Sequence, residues 1–205
     1  MADDSNSVKI TERSYHHGAL RPALIAAAEA VIAERGVDGF SLRETARRAG
    51  VSPSAPAHHF GDARGLLTAI AAAAFEALGD MLEQASAAPT RRERIRAQGL
   101  AYVGFALGQR ARFELMWRAA FLNNDDPALT AAGRRAFGLL DGAVRGEGAV
   151  REGPADPALA PSIACWAIVH GFARLAIDGA FGPEPGAAER AADGLLPLVL
   201  DRLDV

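Results

Sequence analysis

The helix punctuation of residues 36–62, "GVDGFSLRETARRAGVSPSAPAHHFGD", constrains this chain more than any bulk property. Gly36 ends an apolar run of helical spacing, Leu20, Leu24, Ala28, Val31 and Ile32, as a C-terminal cap. Phe40 precedes "SLRE", in which Ser41 caps a new helix and Glu44 reaches back to it, a capping box, with Leu42, Ala46 and Ala49 as the buried stripe. Gly50 stops that helix. Ser52 caps again, with Pro53 at the first helical position, where its missing N–H costs nothing. A short helix is therefore predicted from about Pro53 to His59, ending at Gly61. Pro56 is expected to remove its first intrahelical bond, the one to the Ser52 carbonyl, in a first turn that can absorb the loss. Asp62 then caps a fourth helix carrying Leu66, Leu67, Ile70, Phe75, Leu78 and Leu82.

Beyond Pro89 and Thr90 the pattern predicts helices over about 91–108, 111–122, 127–145, 156–180 and 187–203, with Pro197 kinking the last. Alanine recurs throughout, β-branched and aromatic residues are sparse, and strand-type alternation is absent, so an all-α chain is expected. Residues 1 to about 16 read as a mobile polar arm, without the basic start and apolar run of a signal peptide. No apolar stretch is expected to reach the roughly 18 residues of a membrane span, and the single cysteine, Cys165, excludes an intrachain disulfide. A cytoplasmic protein with no membrane partner follows as the expectation. With 205 residues and a net charge of −3 the chain is no polycation, so nucleic-acid binding would need a local patch.

Such a patch has a place. Two short helices, 42–49 and 53–59, joined by a tight turn containing glycine and packed under a third, form the helix-turn-helix arrangement, whose second helix enters the major groove of DNA. The side chains expected on its outer face, Ser54, Ala57 and His58, are small or polar and allow close approach to base edges.

"SYHHGALRPALIAAAEAVIAERGVDGFSLRETARRAGVSPSAPAHHFGDARGLL" resembles the DNA-binding domain of the TetR family of transcriptional regulators, without a gap from residue 15 to about 67. "ACWAIVHGFARLAIDGAF" resembles the Trp-His-Gly helix of one regulatory-domain subfamily, here Trp166, His170 and Gly171. The resemblance implies a DNA-binding domain over 1–85 and a helical effector-binding and dimerisation domain over 86–205. It implies a homodimer paired through its last two helices, bound to a palindromic double-stranded operator and released by a small-molecule effector, with no cofactor. Repression is the family's commoner mode. Carried over by position, Arg43 reaches backbone or base from the second helix, and Ser52, Pro53, Ser54, Ala55, His58 and His59 lie on the recognition helix. Two positions depart from the family pattern. Ala57 stands where a phosphate-contacting tyrosine is usual, and Ala63 where a lysine or arginine is usual. Each loss is expected to weaken binding and flatten the salt dependence by about one unit of slope, with Arg64, Arg47, Arg48, Lys9 and Arg13 as substitutes. A degenerate relative that no longer binds DNA is the alternative.

Other readings compete at single residues. His58 and His59, with His16 and His17, lack a cysteine or carboxylate at zinc spacing, so no metal site is assigned. His59 packs against the first helix or His58 touches phosphate. Trp166 and His170 share a helix face, as core with His170 hydrogen-bonded, or as part of an effector pocket or of the dimer seam. Tyr102, Phe105, Phe113, Trp117 and Phe121 supply one or two amphipathic faces, read mostly as core, with a cavity bounded by Phe113, Trp117 and Trp166 as the alternative. Cys165 reads as a buried small residue and the Arg91, Arg92, Arg94, Arg96 run as a solvated face. No catalytic constellation is present, which disfavours an enzyme.

Overall fold

A computed structural model describes residues 20–146, 153 and 155–203; Lys9, Arg13, His16 and His17 lie outside the described residues. The described chain is helical, with no strand: α1 (Leu20–Arg35), α2 (Leu42–Ala49), α3 (Ala55–Phe60), α4 (Ala63–Ala85), α5 (Arg91–Gly108), α6 (Arg110–Met116), α7 (Pro127–Arg145), α8 (Ala160–Ile177), α9 (Ala187–Gly194) and α10 (Leu196–Leu200). Short 3₁₀ turns, Ala119–Phe121 and Pro157–Leu159, follow α6 and precede α8.

The caps explain most boundaries. Ser41 Oγ accepts from the Glu44 amide at 3.4 Å and Asp62 Oδ1 from the Gly65 amide at 2.7 Å. The reciprocal half of the box expected at Ser41 is absent, because the Glu44 carboxylate binds arginines instead. A complete capping box forms at Thr90 and Glu93, where α5 begins. α3 starts two residues later than expected. Ser54, not Ser52, is its N-cap, and Pro53 falls in the preceding turn. The Ser52 carbonyl accepts from the Ala55 amide at 3.0 Å, so Pro56 sits in the first turn, where it forfeits no bond. The helices expected over 111–122 and 187–203 are each two pieces. The first breaks at Trp117 and Arg118, and the second breaks at Leu195 with Pro197 opening α10.

α4 is the central helix and packs most extensively on α7, then on α5 and α6. Its N-terminal half joins Ala28, Ile32 and Val37 in a first core, to which Leu115, Leu122 and Leu129 also contribute. Its C-terminal half, with Leu78 and Leu82, joins Val103, Phe105, Phe113 and Phe172 in a second. One helix thus stiffens both halves of the chain. Two helical segments, Ala63–Ala85 and Pro157–Ile177, are long and apolar enough to cross a membrane by length and composition, where none was expected, because alanine counts toward that measure. Half of the apolar window in the first is buried in the core.

Candidate functional site

The local backbone sets the α2–α3 angle. Gly50 adopts φ +67°, its amide bonds back to Ala46 and Arg47, and the Val51 amide bonds to the Ala46 carbonyl at 3.1 Å, a Schellman ending that only glycine forms without strain. Gly65 fixes α3 against α4: a Cβ there would stand 1.9 Å from the Phe60 carbonyl oxygen. Phe60 also faces α1, with the Arg21 guanidinium 5.2 Å above its ring.

α3 consequently turns its polar residues outward. Ser52, Pro53, Ser54, Ala57, His58 and His59 are exposed, Ala55 is half-buried and Pro56 is buried. His59 does not pack on the first helix; its ring is exposed beside that of His58, and Phe60 takes the inner side. Arg43 is exposed on α2. The neighbouring cations are held by carboxylates. Glu44 accepts from Arg47 and Arg48, each at 2.8 Å, and lies 3.5 Å from Arg35, while Arg48 also pairs with Glu34. The hydrogen bonds from Arg47 and Arg48 hold the Glu44 carboxyl down to about 2. Arg64 donates to the Leu122 carbonyl at 2.8 Å, tying the start of α4 to the segment after α6.

Together with α6, that segment is a strap between the two halves. Arg112 pairs with Glu29 of α1 at 2.7 Å, Arg118 grips both oxygens of Asp38 at 2.5 and 2.6 Å, and the Asn123 amide bonds Thr68 of α4 at 2.9 Å. Trp117, next to Arg118, belongs to the wall of a cavity.

The cavity, about 240 Å³, lies among α4, α5, α7, α8 and α10. Tyr102, Trp117 and Trp166 line it, together with Phe75, Gln98, Phe137, Cys165 and Leu200. Phe105 and Phe113 lie fully in the core. Phe121 lies elsewhere, in a cleft with Ala63 and Arg64. The Tyr102 hydroxyl accepts from Trp166 Nε1 at 3.4 Å and meets Nδ1 of His170, which stands behind the wall, at 2.8 Å. Burial pushes the Tyr102 phenol up and His170 down, with Arg174 adding to the latter. Burial likewise raises the Cys165 thiol, which makes it a poor nucleophile. Sequence reasoning missed Gln98. Its signal was a polar residue on the buried stripe of α5, between Ile95 and Tyr102 at helical spacing.

A family model described as "Bacterial regulatory proteins, tetR family" matches residues 24–70, and one described as "Tetracyclin repressor-like, C-terminal domain" matches residues 95–198. The chain belongs to the TetR family. TetR regulators are DNA-binding transcription factors rather than enzymes, and the α2–α3 pair is the family's helix-turn-helix. Among solved structures, a Rhodococcus sp. RHA1 protein with unknown function is similar over 90% of this chain and 97% of its own, at 36% identity and a TM-score of 0.69. The TetR family transcriptional regulator PfmR from Thermus thermophilus shares the fold at 24% identity and a TM-score of 0.66, over 89% of this chain and 99% of its own. The multidrug binding protein EbrR, solved in complex with imidazole, shares it at 21% identity and a TM-score of 0.55, over 89% and 93%. A search of curated proteins found no match.

Proposed function

We propose that this TetR-family chain is a cytoplasmic, homodimeric repressor that reads a palindromic operator with α3 and releases it when a small molecule enters the cavity. The observation carrying this reading is the strap. Trp117 touches the cavity, and the next residue, Arg118, holds Asp38 at the turn that leads into α2. A ligand that favours one placement of Trp117 therefore favours one placement of the reading head, by as much as its affinity for the two placements differs. The division into a DNA-binding unit over 1–85 and an effector unit over 86–205 belongs to the same reading. α4 runs through the first unit, and the cavity is walled largely by the second. Exposed Ile163 and Leu175 on α8 and Leu195 and Leu198 beside and on α10 support a twofold partner through the last helices.

On α3 and the turn before it, Ser52, Pro53, Ser54, Ala55, Ala57, His58 and His59 would face the groove, with Arg43 on the backbone and the arm residues Lys9 and Arg13, which lie outside the described residues, also reaching the DNA. Fluorescence anisotropy tests this directly, with DNA from beside the protein's own gene titrated at several salt concentrations against a scrambled duplex. Tight, sequence-dependent binding with a steep salt slope is the expected outcome, and indifference to sequence would refute the repressor. One observation favours the rival reading, a relative that has lost DNA binding. Arg47 and Arg48 spend their charge on Glu44 and Glu34, and Ala57 and Ala63 supply none. Under that reading Ala57→Tyr with Ala63→Lys would raise affinity steeply.

A further inference from the structure

The wall of the cavity leaves two polar atoms unmet. Gln98 Oε1 and Trp117 Nε1 are buried and have no hydrogen-bond partner among the described residues, and both residues line the cavity. Gln98 is 2% exposed, so its carbonyl oxygen has little access to solvent. Its orientation is fixed chemically. Gln98 Nε2 donates to the Leu139 carbonyl at 3.2 Å, which can only accept, and to Ser86 Oγ at 2.8 Å, whose own hydrogen goes to the Leu82 carbonyl. The nitrogen is thus placed by its partners, and the oxygen remains over. The indole nitrogen of Trp117 offers only a donor. Two further polar groups of the wall satisfy each other: the Tyr102 hydroxyl accepts from the Trp166 indole and is also engaged with His170. Among the described residues, no Asp, Glu, Lys, Arg or His side chain lines the cavity.

These features restrict what can bind. A charged ligand would lose its hydration without gaining a counter-charge. A pure hydrocarbon would leave a buried acceptor and a buried donor unpaired. An apolar cavity of about 150 Å³ accepts one benzene ring, so the space here suits one to two rings. Resting on the effector reading above, we propose that the cavity binds an uncharged, mainly apolar molecule of that size. It carries an O–H or N–H that donates to Gln98 Oε1 and an oxygen or ring nitrogen that accepts from Trp117 Nε1.

Isothermal titration of the full chain, without DNA, with four probes tests this. 4-Hydroxyacetophenone carries both groups, acetophenone lacks the donor, 4-ethylphenol lacks the carbonyl, and 4-hydroxybenzoate is an anion. The first is expected to bind about tenfold more tightly than the second or third, and the anion to bind at least tenfold more weakly than the first. Gln98→Met should erase the advantage over acetophenone alone, and Trp117→Phe the advantage over 4-ethylphenol alone. Should Gln98→Met fail to fold, the wild-type series and Trp117→Phe still decide. Equal binding of the anion, no advantage from either polar group, or no binding at millimolar concentration (the two atoms then being met by water) would overturn the proposal. Adding the same probes to the protein–DNA complex separates the two claims. Tight neutral binding without release keeps the ligand class and refutes the effector reading. Release by anions alone does the reverse.

Discussion

His170 shows how a single imidazole reports on the second core. It stands among Tyr102, Phe113, Trp117 and Trp166, with Nδ1 on the Tyr102 hydroxyl and Arg174 one turn along α8. Burial disfavours its charged form, so the folded chain takes up this proton at lower pH than the unfolded chain. The contribution to stability is therefore complete above the unfolded value of about 6.5 and is lost as pH falls toward the lower folded value. Thermal unfolding followed from pH 8 to 5 is expected to show the wild type losing more stability below pH 6.5 than His170→Phe does. Parallel curves for the two proteins would show that this imidazole takes up its proton as readily in the folded chain as in the unfolded one.

Among elements, the segment from α6 to Asn123 is where the proposed coupling between the two halves is tested. It is anchored to α1 by Arg112–Glu29, to the following turn by Arg118–Asp38, and to α4 by Arg64 and Thr68. Arg118→Ala removes one anchor without touching the cavity wall. Ligand affinity of the isolated protein is expected to change little, whereas the effect of ligand on operator affinity should fall several-fold, in the range of about 0.5–2 kcal/mol seen for residues that modulate coupling. Paired titrations with and without ligand measure it, and unchanged coupling would place the route elsewhere. Which parts of these elements can be read from sequence follows from range. α2 and the start of α4 are legible because their caps lie three residues from what they cap. The start of α3 is misread because Ser52 and Ser54 both suit a cap, and only the turn geometry chooses between them. The loss of Arg48 to Glu34 and of Arg64 to Leu122 depends on neighbours brought in from α1 and from beyond α6, which spacing does not reveal. Gln98 is visible as a polar interruption, but its orphaned oxygen emerges only once Ser86 and Leu139 have claimed the nitrogen.

For the whole molecule, the exposed leucines of α8 and α10 give the proposed dimer a physical test. Leu198, 61% exposed, and Leu175, 52% exposed, cost little as glutamates in a monomer, but they would set like charges across a twofold seam. Leu175→Glu with Leu198→Glu is expected to sediment as a monomer with an unchanged helical spectrum and to lose operator affinity by more than about tenfold, since one reading head replaces two. A variant that remains dimeric would move the seam off these helices.

The close contact at Gly65 also turns α4 into a lever arm. Because Phe60 rests directly on the start of α4, α3 travels with that end of the helix. The helix has 23 residues, about 35 Å at 1.5 Å per residue. Pivoted at its far end, a tilt of roughly 6° sweeps α3 through about 3.5 Å, the rise of one base-pair step. In a twofold pair tilting apart, the heads separate by up to about twice that distance and fall out of register with half-sites spaced by the helical turn. Displacements of roughly half an ångström at Leu82 and about 1.6 Å at Phe75, where α4 lines the cavity, are thus multiplied by geometry alone into steps as large as the spacing of the letters being read.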